Sequence, residues 1–350
     1  MGALENKNIT TPAGKGSFRK ARALRIFGGR ELPAAIEISA SGLKLLQLAR
    51  RRRGYTLAKC DYQPLPAAAA SADSAIKAAL EKLAKENNLS GQVCAALGLS
   101  KIQASSYPLP QMPPEEAAAA VAWKARQGLP QNLNLTDLSL DYMLIESPAA
   151  RSGAQEAVAL VFMAHKKQVA DLLQIFQSCG LELILLEPKP YVLVKVMYAL
   201  SAIKAEETVL VVDIGEEESS VAIASAGYPY LIRSLLVSGS GLAGPVAASQ
   251  LEGLAVDLEH TFKYFSHELV KSRVTSFERV VLCGAASRIP GLSRFLFEKL
   301  GVAADIFDPA AFLKSLAKRG LNPRAEANLA DFGAALGLAA EYSDGKFKAD

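Results

Sequence analysis

The stretch "VVDIGEEESS", Val211 to Ser220, decides the fold class of this 350-residue chain. Its β-branched residues predict a buried strand that ends near Asp213, and Gly215 predicts a tight turn directly after that strand. The backbone N–H groups of such a turn can form a concavity that binds anions such as phosphate. Glu216, Glu217 and Glu218 fill the same turn, so a triphosphate bound there would meet like charge. The stretch therefore raises two hypotheses, a nucleotide site or a degenerate copy of one.

The pattern around this stretch occurs twice in the chain. Residues Ala34–Pro66 and Thr208–Gly241 each have the pattern strand, turn, strand, turn, strand. In each copy the first turn follows an acidic residue, Glu37 in the first and Asp213 in the second. Two equivalent β-meanders predict a duplicated α/β domain with its ligand cleft between the two halves.

The helical and strand periodicity after each meander is consistent with a duplicated α/β domain. The predicted elements are a helix over Ser71–Asn88, a strand over Gln92–Leu97, an apolar helical stripe from Leu251 to Leu269, a strand over Arg279–Gly284 and a closing helix over Arg324–Tyr342. The two halves are therefore expected over residues 31–112 and 189–342, with the closing helix returning to the first half.

A different module is predicted between the halves, over residues 113–188. Prolines at 113 and 114 start a helix, and the pattern continues as strand, strand, helix, strand. This α-β-β-α-β order predicts a small α+β domain inserted into the first half. Trp123, the only tryptophan in the chain, is expected to pack inside this module, with an exposed anchor for a partner peptide as the alternative.

Composition predicts a soluble cytoplasmic protein. Half of the residues are apolar, but the longest apolar run, Ala157–Ala164, is far shorter than the roughly 20 residues of a membrane-spanning helix. The first residues do not resemble a signal peptide. The four cysteines lie far apart without a C-x-x-C pair, which indicates reduced thiols rather than a zinc site.

The net charge of +4 is unevenly distributed. Residues 1–30 contain seven lysines and arginines against one acid, Glu5, and we expect a disordered basic tail there and a second tail over 343–350. Two interpretations remain open for the basic tail, contact with an anionic membrane surface or a solvated segment without a partner. Nucleic acid is not an expected partner of the chain.

The paired turns are the candidate phosphate site. Lys44 can return over the first turn as a positive contact, and Asp213 is placed to hold a hydrated Mg²⁺. The segment "GSGLAG", Gly239 to Gly244, matches G-x-G-x-x-G, but a long helical pattern follows it instead of a strand that ends in an acid. We therefore interpret Gly239 and Gly241 as a glycine-lined helix entry near a phosphate cleft, not as a dinucleotide fingerprint.

These motifs together resemble the actin-like (RNase H-like) ATPase superfamily. Within it the chain is most similar to the PilM family of cytoplasmic type IV pilus assembly proteins, on four stretches from residue 31 to 342. The stretches are "IEISASGLKLLQL", "MPPEEAAAAVAWKARQGLP", "VFMAHKKQVADLLQIFQSCGLELILLEPKPYVLVKVM" and "VVLCGAASRIPGL".

The resemblance implies roles for individual residues if ATP with Mg²⁺ is bound. The turn from Glu37 to Lys44, with Ser39, becomes the first phosphate loop. The turn from Asp213 to Ser220 becomes the second, with Gly215, Ser219 and Ser220 lining it and Asp213 beside the metal. Gly284 approaches the adenosine.

The resemblance also implies partners. PilM-like proteins bind the cytoplasmic tail of the inner-membrane protein PilN in a groove by the inserted module. Through PilN they are linked to PilO, and this implies a cytoplasmic protein at the periphery of the inner membrane.

Departures from the family pattern favour a degenerate site. Glu37 and Ser39 replace an aspartate and a glycine, two alanines follow Gly284, and the stretch with the Ala-Glu-x-x-Lys contact is absent after Leu242, so the fourth subdomain is reduced. A charge about 6 Å from a phosphate costs roughly 1.4 kcal/mol at an effective dielectric of about 40. Two glutamates then weaken binding about a hundredfold. We therefore predict a non-catalytic scaffold with weak or lost ATP binding; the alternative is an active ATPase or kinase of the superfamily.

Overall fold

The first half of the chain forms a five-stranded sheet. The computed structural model describes residues 31–52, 54–65, 73–146, 156–243, 247–270, 276–317 and 320–342. Numbered along the chain, the strands of this sheet are β1 (Ala34–Ser39), β2 (Gly42–Arg50), β3 (Tyr55–Pro64), β4 (Gly91–Leu97) and β8 (Leu181–Pro188). Their order is β3-β2-β1-β4-β8, with β1 antiparallel to β2 and parallel to β4. Because β1 lies in the middle, it is buried on both faces.

The second half repeats this sheet. Its strands are β9 (Val209–Ile214), β10 (Ser219–Ser225), β11 (Tyr228–Leu235), β12 (Arg279–Cys283) and β13 (Ala303–Ile306). They lie in the order β11-β10-β9-β12-β13, and β9 is antiparallel to β10 and parallel to β12. The prediction of a duplicated α/β fold is confirmed, because the two sheets have the same strand order and directions.

The inserted module differs from its predicted bounds. Its sheet has the order β5-β7-β6, and its elements are β5 (Gln103–Pro110), α2 (Pro114–Gly128), β6 (Leu138–Glu146) and β7 (Glu156–His165). The predicted last helix, α3 (Lys166–Ser178), packs on β8, and β8 pairs in parallel with β4 of the first half. The order of elements along the chain does not reveal which sheet a strand joins. The prediction therefore assigned β8 to the module, whereas it pairs with β4 of the first sheet.

Helices fill the space around the two large sheets. They are α1 (Asp73–Glu86), α4 (Lys189–Ala199), α5 (Gly239–Leu242), α6 (Ala247–Tyr264) with a π turn at Phe265–Leu269, α7 (Leu292–Leu300), α8 (Ala310–Leu316), α9 (Pro323–Glu326) and α10 (Gly333–Glu341). Helix α4 packs on α10 and on strands of both halves, and α10 packs on β1, β2 and β4. The two helices therefore lie in one apolar core that the halves share.

The predicted closing helix, Arg324–Tyr342, is interrupted. Asn322 caps the start of helix α9, because its side-chain oxygen accepts a hydrogen bond from the Arg324 backbone N–H. A 3₁₀ turn at Leu329–Asp331 separates α9 from α10. The turn redirects the chain so that α10 can lie along α4. At that contact Gly337 is needed, since a Cβ on it would be 2.5 Å from Val192 Cγ1 and 2.8 Å from the Val192 carbonyl oxygen.

Polar contacts fasten the C-terminal segment to the first half. Asp61 of β3, almost fully buried, accepts hydrogen bonds from the Asn322 side-chain Nδ2 at 2.9 Å and from the Arg324 guanidinium at 3.3 Å. Arg324 also donates to Glu86 at the end of α1, at 2.7 Å. A buried carboxylate with several donors holds this segment in one position.

Trp123 does not pack inside the module as predicted. It lies on α2 with 57% of its surface exposed, because Val121 and Ala125 of the same helix occupy the buried face. The predicted tails, 1–30 and 343–350, and Gly244 lie outside the described residues. None of the helices in the described part of the chain combines the length and apolar character that a membrane crossing requires.

Candidate functional site

The two hairpins place their acids at matching positions. Glu37 on β1 is the register partner of Lys44 on β2, and Asp213 on β9 is the register partner of Ser220 on β10. Both acids lie on the central strand of their sheet, one or two residues before the strand ends. Each carboxylate is thereby held by strands on both sides and is removed from solvent.

A lysine that was not among the predicted site residues joins the two acids. Lys189 opens α4, and its ammonium lies 2.8 Å from Asp213 Oδ2 and 3.3 Å from Glu37 Oε1. Lys44 donates to the same Glu37 oxygen at 3.0 Å. All four side chains are buried, with exposed fractions of 0% for Glu37, 5% for Lys44, 9% for Lys189 and 4% for Asp213. We call these four residues the ion cluster.

The charges of the ion cluster stabilise one another. Burial alone would lower the pKa of Lys189, but the Asp213 and Glu37 carboxylates outweigh it and raise the pKa well above its ordinary value. Burial alone would raise the pKa of Glu37, but Lys44 and Lys189 hold it below its ordinary value. Two anions facing two cations make the cluster neutral, which is the condition under which buried charges are tolerated.

The second predicted phosphate turn is closed by its own backbone. The Gly215 amide donates to the Glu218 carbonyl at 3.1 Å, and the Gly239 amide donates to the Gly215 carbonyl at 2.8 Å. Gly284, with φ +87°, lies so close to Asp213 that a Cβ would be 2.5 Å from its Oδ1. The structure thus brings the predicted glycines together. The Gly215 and Gly239 amides, however, already donate to backbone carbonyls, and Asp213 occupies the space beside Gly284.

The remaining predicted site residues are also occupied or buried. Ser39 donates its hydroxyl to the Gly42 carbonyl at 2.9 Å, within the first hairpin. Gly241 donates its amide to the Ser238 hydroxyl at 3.2 Å, which starts α5. Ser219 and Ser220 are buried on β10, and a buried Ser219 Oγ has no hydrogen-bond partner among the described residues.

Glu218 closes the entrance between the halves. Its carboxylate reaches the loop after β4, where Oε2 accepts a hydrogen bond from the Ser100 amide at 3.1 Å. A Cβ on Gly98 in that loop would overlap the Glu218 carboxylate, so a side chain there would require Glu218 to move. A glutamate that seemed to repel phosphate therefore has a structural role, because it fastens the second half to the first.

The residues do not fit a Mg²⁺–nucleotide complex. The position between Glu37 and Asp213 already holds an ammonium, and Mg²⁺ needs an octahedron of oxygens and keeps several waters. Within the described residues, no group of three or more His, Cys, Asp or Glu side chains is arranged to hold a metal ion. The cavity lined by Gly98, Lys189, Asp213 and Glu218 has a volume of about 10 Å³, the space of a single water molecule.

Lys189 could have been found in the sequence. It stands between Pro188 and Pro190 at the start of "YVLVKVM", a run that is apolar on nearly all sides. A lysine in such a helix is buried and must therefore meet an acid. Because Lys189 is distant in sequence from Glu37 and Asp213, the sequence did not show that these two are the acids it meets.

A second acid, with 15% of its side chain exposed, lies on β8 beside α4 and α10. Glu187, the last residue but one of β8, has its Oε1 3.5 Å from the Lys195 ammonium, which also pairs with Glu341 of α10. Burial raises the pKa of Glu187 to about 7; Lys195 opposes this, and Glu341 and Asp141 add to it. Its Oε2 is buried without a hydrogen-bond partner in the described part of the chain.

We expect the variant Glu187→Gln to remove a pH dependence of stability. Because the folded-state pKa is above the ordinary 4.5, the stability contributed by neutral Glu187 is complete below about pH 4.5 and is lost as the pH rises through about 7. The variant should equal the wild type near about pH 4 and exceed it by about 3 kcal/mol near about pH 8. Urea unfolding at both pH values measures this, and an equal difference at both would contradict it.

Comparison with known proteins places this geometry in context. A family model described as type IV pilus assembly protein PilM matches residues 35–250, more than half of the chain. A search of the curated proteins found no significant match. Among solved structures, the chain is similar to the PilM-PilN type IV pilus biogenesis complex, with a TM-score of 0.71 and 22% identity over 89% of this chain and 98% of that one.

Two other solved structures resemble the chain less. One is a Bacteroides thetaiotaomicron protein with an actin-like ATPase fold and unknown function, with a TM-score of 0.48 and 11% identity over 80% of this chain and 91% of that one. The other is the cytoplasmic domain of EpsL, an inner membrane component of the type II secretion system of Vibrio cholerae. Its TM-score is 0.46, with 11% identity over 73% of this chain and 82% of that one.

Proposed function

The chain belongs to the type IV pilus assembly protein PilM family, and from that premise we propose that it is an actin-like scaffold that binds the cytoplasmic tail of a PilN-like membrane protein. The similarity to a PilM solved in complex with PilN supports this partner. Through that tail the protein would reside in the cytoplasm at the inner membrane, and a PilO-like protein would be linked to it indirectly. The closed ion cluster supports a role that does not require ATP.

We place the binding groove at the junction of the module and the first half. Phe162 of β7 and Asp141 of β6 are register partners, on the sheet face opposite α2. Phe162 packs edge-to-face on Tyr191 of α4, with 5.9 Å between ring centroids, and Asp141 is near enough to raise the pKa of Glu187. The junction therefore offers aromatic and acidic side chains from both parts.

Strand edges beside this junction support an extended peptide as the occupant. β8 ends the order of the first sheet and β6 ends the order of the module sheet, so each has one side without a strand partner in the described residues. Side chains from Leu183 to Glu187 along β8 are half-buried. A strand edge beside partly covered apolar side chains is a surface that extended peptides use.

We expect the variant Asp141→Arg to weaken tail binding at least about tenfold, which corresponds to about 1.4 kcal/mol. The longer side chain of opposite charge obstructs the mouth of the groove and reverses the charge of its rim. Calorimetry with a synthetic peptide of the PilN-like tail measures the affinity.

The matched control is Glu116→Arg, the same charge reversal at an exposed position of α2 on the other side of the module sheet. Its affinity should stay within about twofold of the wild type, since surface substitutions away from a contact have small effects. If Asp141→Arg and Glu116→Arg bound the peptide with equal affinity, the groove would lie elsewhere. If the wild type did not bind the peptide, the proposal of a PilN-like partner would be wrong.

A further inference from the structure

We propose that the ammonium of Lys189 is a built-in substitute for the divalent cation of a nucleotide site, so that an internal charge holds the two halves together. The inference concerns cation binding and interdomain closure, and it does not depend on the PilN-like partner. Its basis is the placement of one lysine between an acid of each half.

The position of α4 makes Lys189 a link between the halves. Helix α4 follows β8 of the first sheet and precedes β9 of the second, and Lys189 is its first residue. Its ammonium contacts Glu37 of the first half and Asp213 of the second within hydrogen-bonding distance. One side chain thereby makes the bridge that a metal and its phosphate ligands would otherwise make.

Electrostatics makes lysine and a divalent cation exclusive alternatives. A metal bound by both acids would lie within a few ångströms of the Lys189 ammonium in a buried site, where the repulsion of like charges is strong. The acids are already balanced by Lys44 and Lys189, so a divalent ion would leave an excess of positive charge. Asp331, which lies near Lys44 and Glu37, has its pKa raised by burial and already faces the Arg288 guanidinium, with 3.7 Å between Oδ1 and Nη1.

Two carboxylate oxygens of the ion cluster lack hydrogen-bond partners and could bind a cation if the lysine were removed. Glu37 Oε2 and Asp213 Oδ1 are buried, and neither has a hydrogen-bond partner among the described residues. Without Lys189, Glu37 Oε1 and Asp213 Oδ2 would also lose the ammonium that they share. Carboxylate oxygens with a few waters are the usual ligands of Mg²⁺ and Mn²⁺.

The test compares cation binding by the wild type and by Lys189→Ala in the full chain. We expect millimolar Mg²⁺, with or without ATP, to leave the wild-type Tm unchanged. The variant should have a lower Tm without cations, and Mg²⁺ should raise that Tm by at least about 3 °C in a saturable manner. Mn²⁺ titrated into the variant should bind one ion per chain, as measured by the loss of the free-ion electron paramagnetic resonance signal.

Controls assign the effect to this position. The double variant Lys189→Ala with Asp213→Asn should lose the gained cation binding, and Lys166→Ala, a lysine outside the cluster, should behave as the wild type. If Lys189→Ala does not fold, Lys189→Gln keeps the side-chain volume without the charge and is tested in the same way.

Two results would overturn the proposal. The first is a wild type stabilised by Mg²⁺–ATP with a response that Asp213→Asn abolishes, which would mean that Lys189 leaves the site for a nucleotide. The second is a folded, neutral variant at position 189 that gains no affinity for Mg²⁺ or Mn²⁺. Neither result bears on the PilN-like tail, whose binding is measured separately.

Discussion

Replacing Glu37 by alanine is expected to lower the free energy of unfolding by about 3–5 kcal/mol, because it leaves buried lysine charge without its anion. Glu37 is fully buried and pairs with both Lys44 and Lys189. In the variant Lys44 would lose its ion-pair partner and Lys189 would keep only Asp213, which leaves an excess of positive charge. Urea denaturation followed by circular dichroism measures the loss.

The control for this prediction is Glu81→Ala. Glu81 pairs with Lys77 on α1, but 52% and 46% of the two side chains are exposed, so the loss should stay below about 1 kcal/mol. The two variants delete the same kind of pair and differ in burial. If Glu37→Ala costs no more than Glu81→Ala, the ion cluster does not hold the fold together.

Replacing Gly337 by valine is expected to destabilise the protein by about 3 kcal/mol. Helices α4 and α10 touch there, and even a Cβ would approach the Val192 backbone oxygen to 2.8 Å. Since backbone atoms cannot rotate away, the helices have to separate. Because α4 also carries Lys189, we expect the Lys189–Asp213 contact to loosen as well. Thermal unfolding and hydrogen exchange of α4 amides measure both effects.

The same substitution at Gly253 provides the control. Gly253 is exposed on α6, and a side chain there would meet nothing within 4 Å. Valine is a somewhat better helix former than glycine, so the stability should change by less than about 0.5 kcal/mol. A Gly337→Val protein as stable as Gly253→Val would contradict the close approach of α4 and α10.

Much of the architecture could be predicted because its signals are local. Alternating and continuous apolar runs predicted the two meanders, and the matching acids at Glu37 and Asp213 predicted the duplication. Pairing partners are not local. Strand β8 belongs to the first sheet because it pairs with β4, which is distant in sequence. The prediction that β8 is the last strand of the module was therefore wrong.

The candidate site likewise has features that local sequence predicts and features that only tertiary packing decides. The type and spacing of residues predicted two facing turns with an acid on each, because short segments carry these backbone preferences. The substituted glycines were recognised only through the resemblance to the PilM family. Whether the acids face a metal or a lysine depends on a side chain that arrives from α4, far from either turn in sequence. Charge pairing in a buried site depends on which atoms lie within a few ångströms, and packing of the two halves on α4 alone settles that distance.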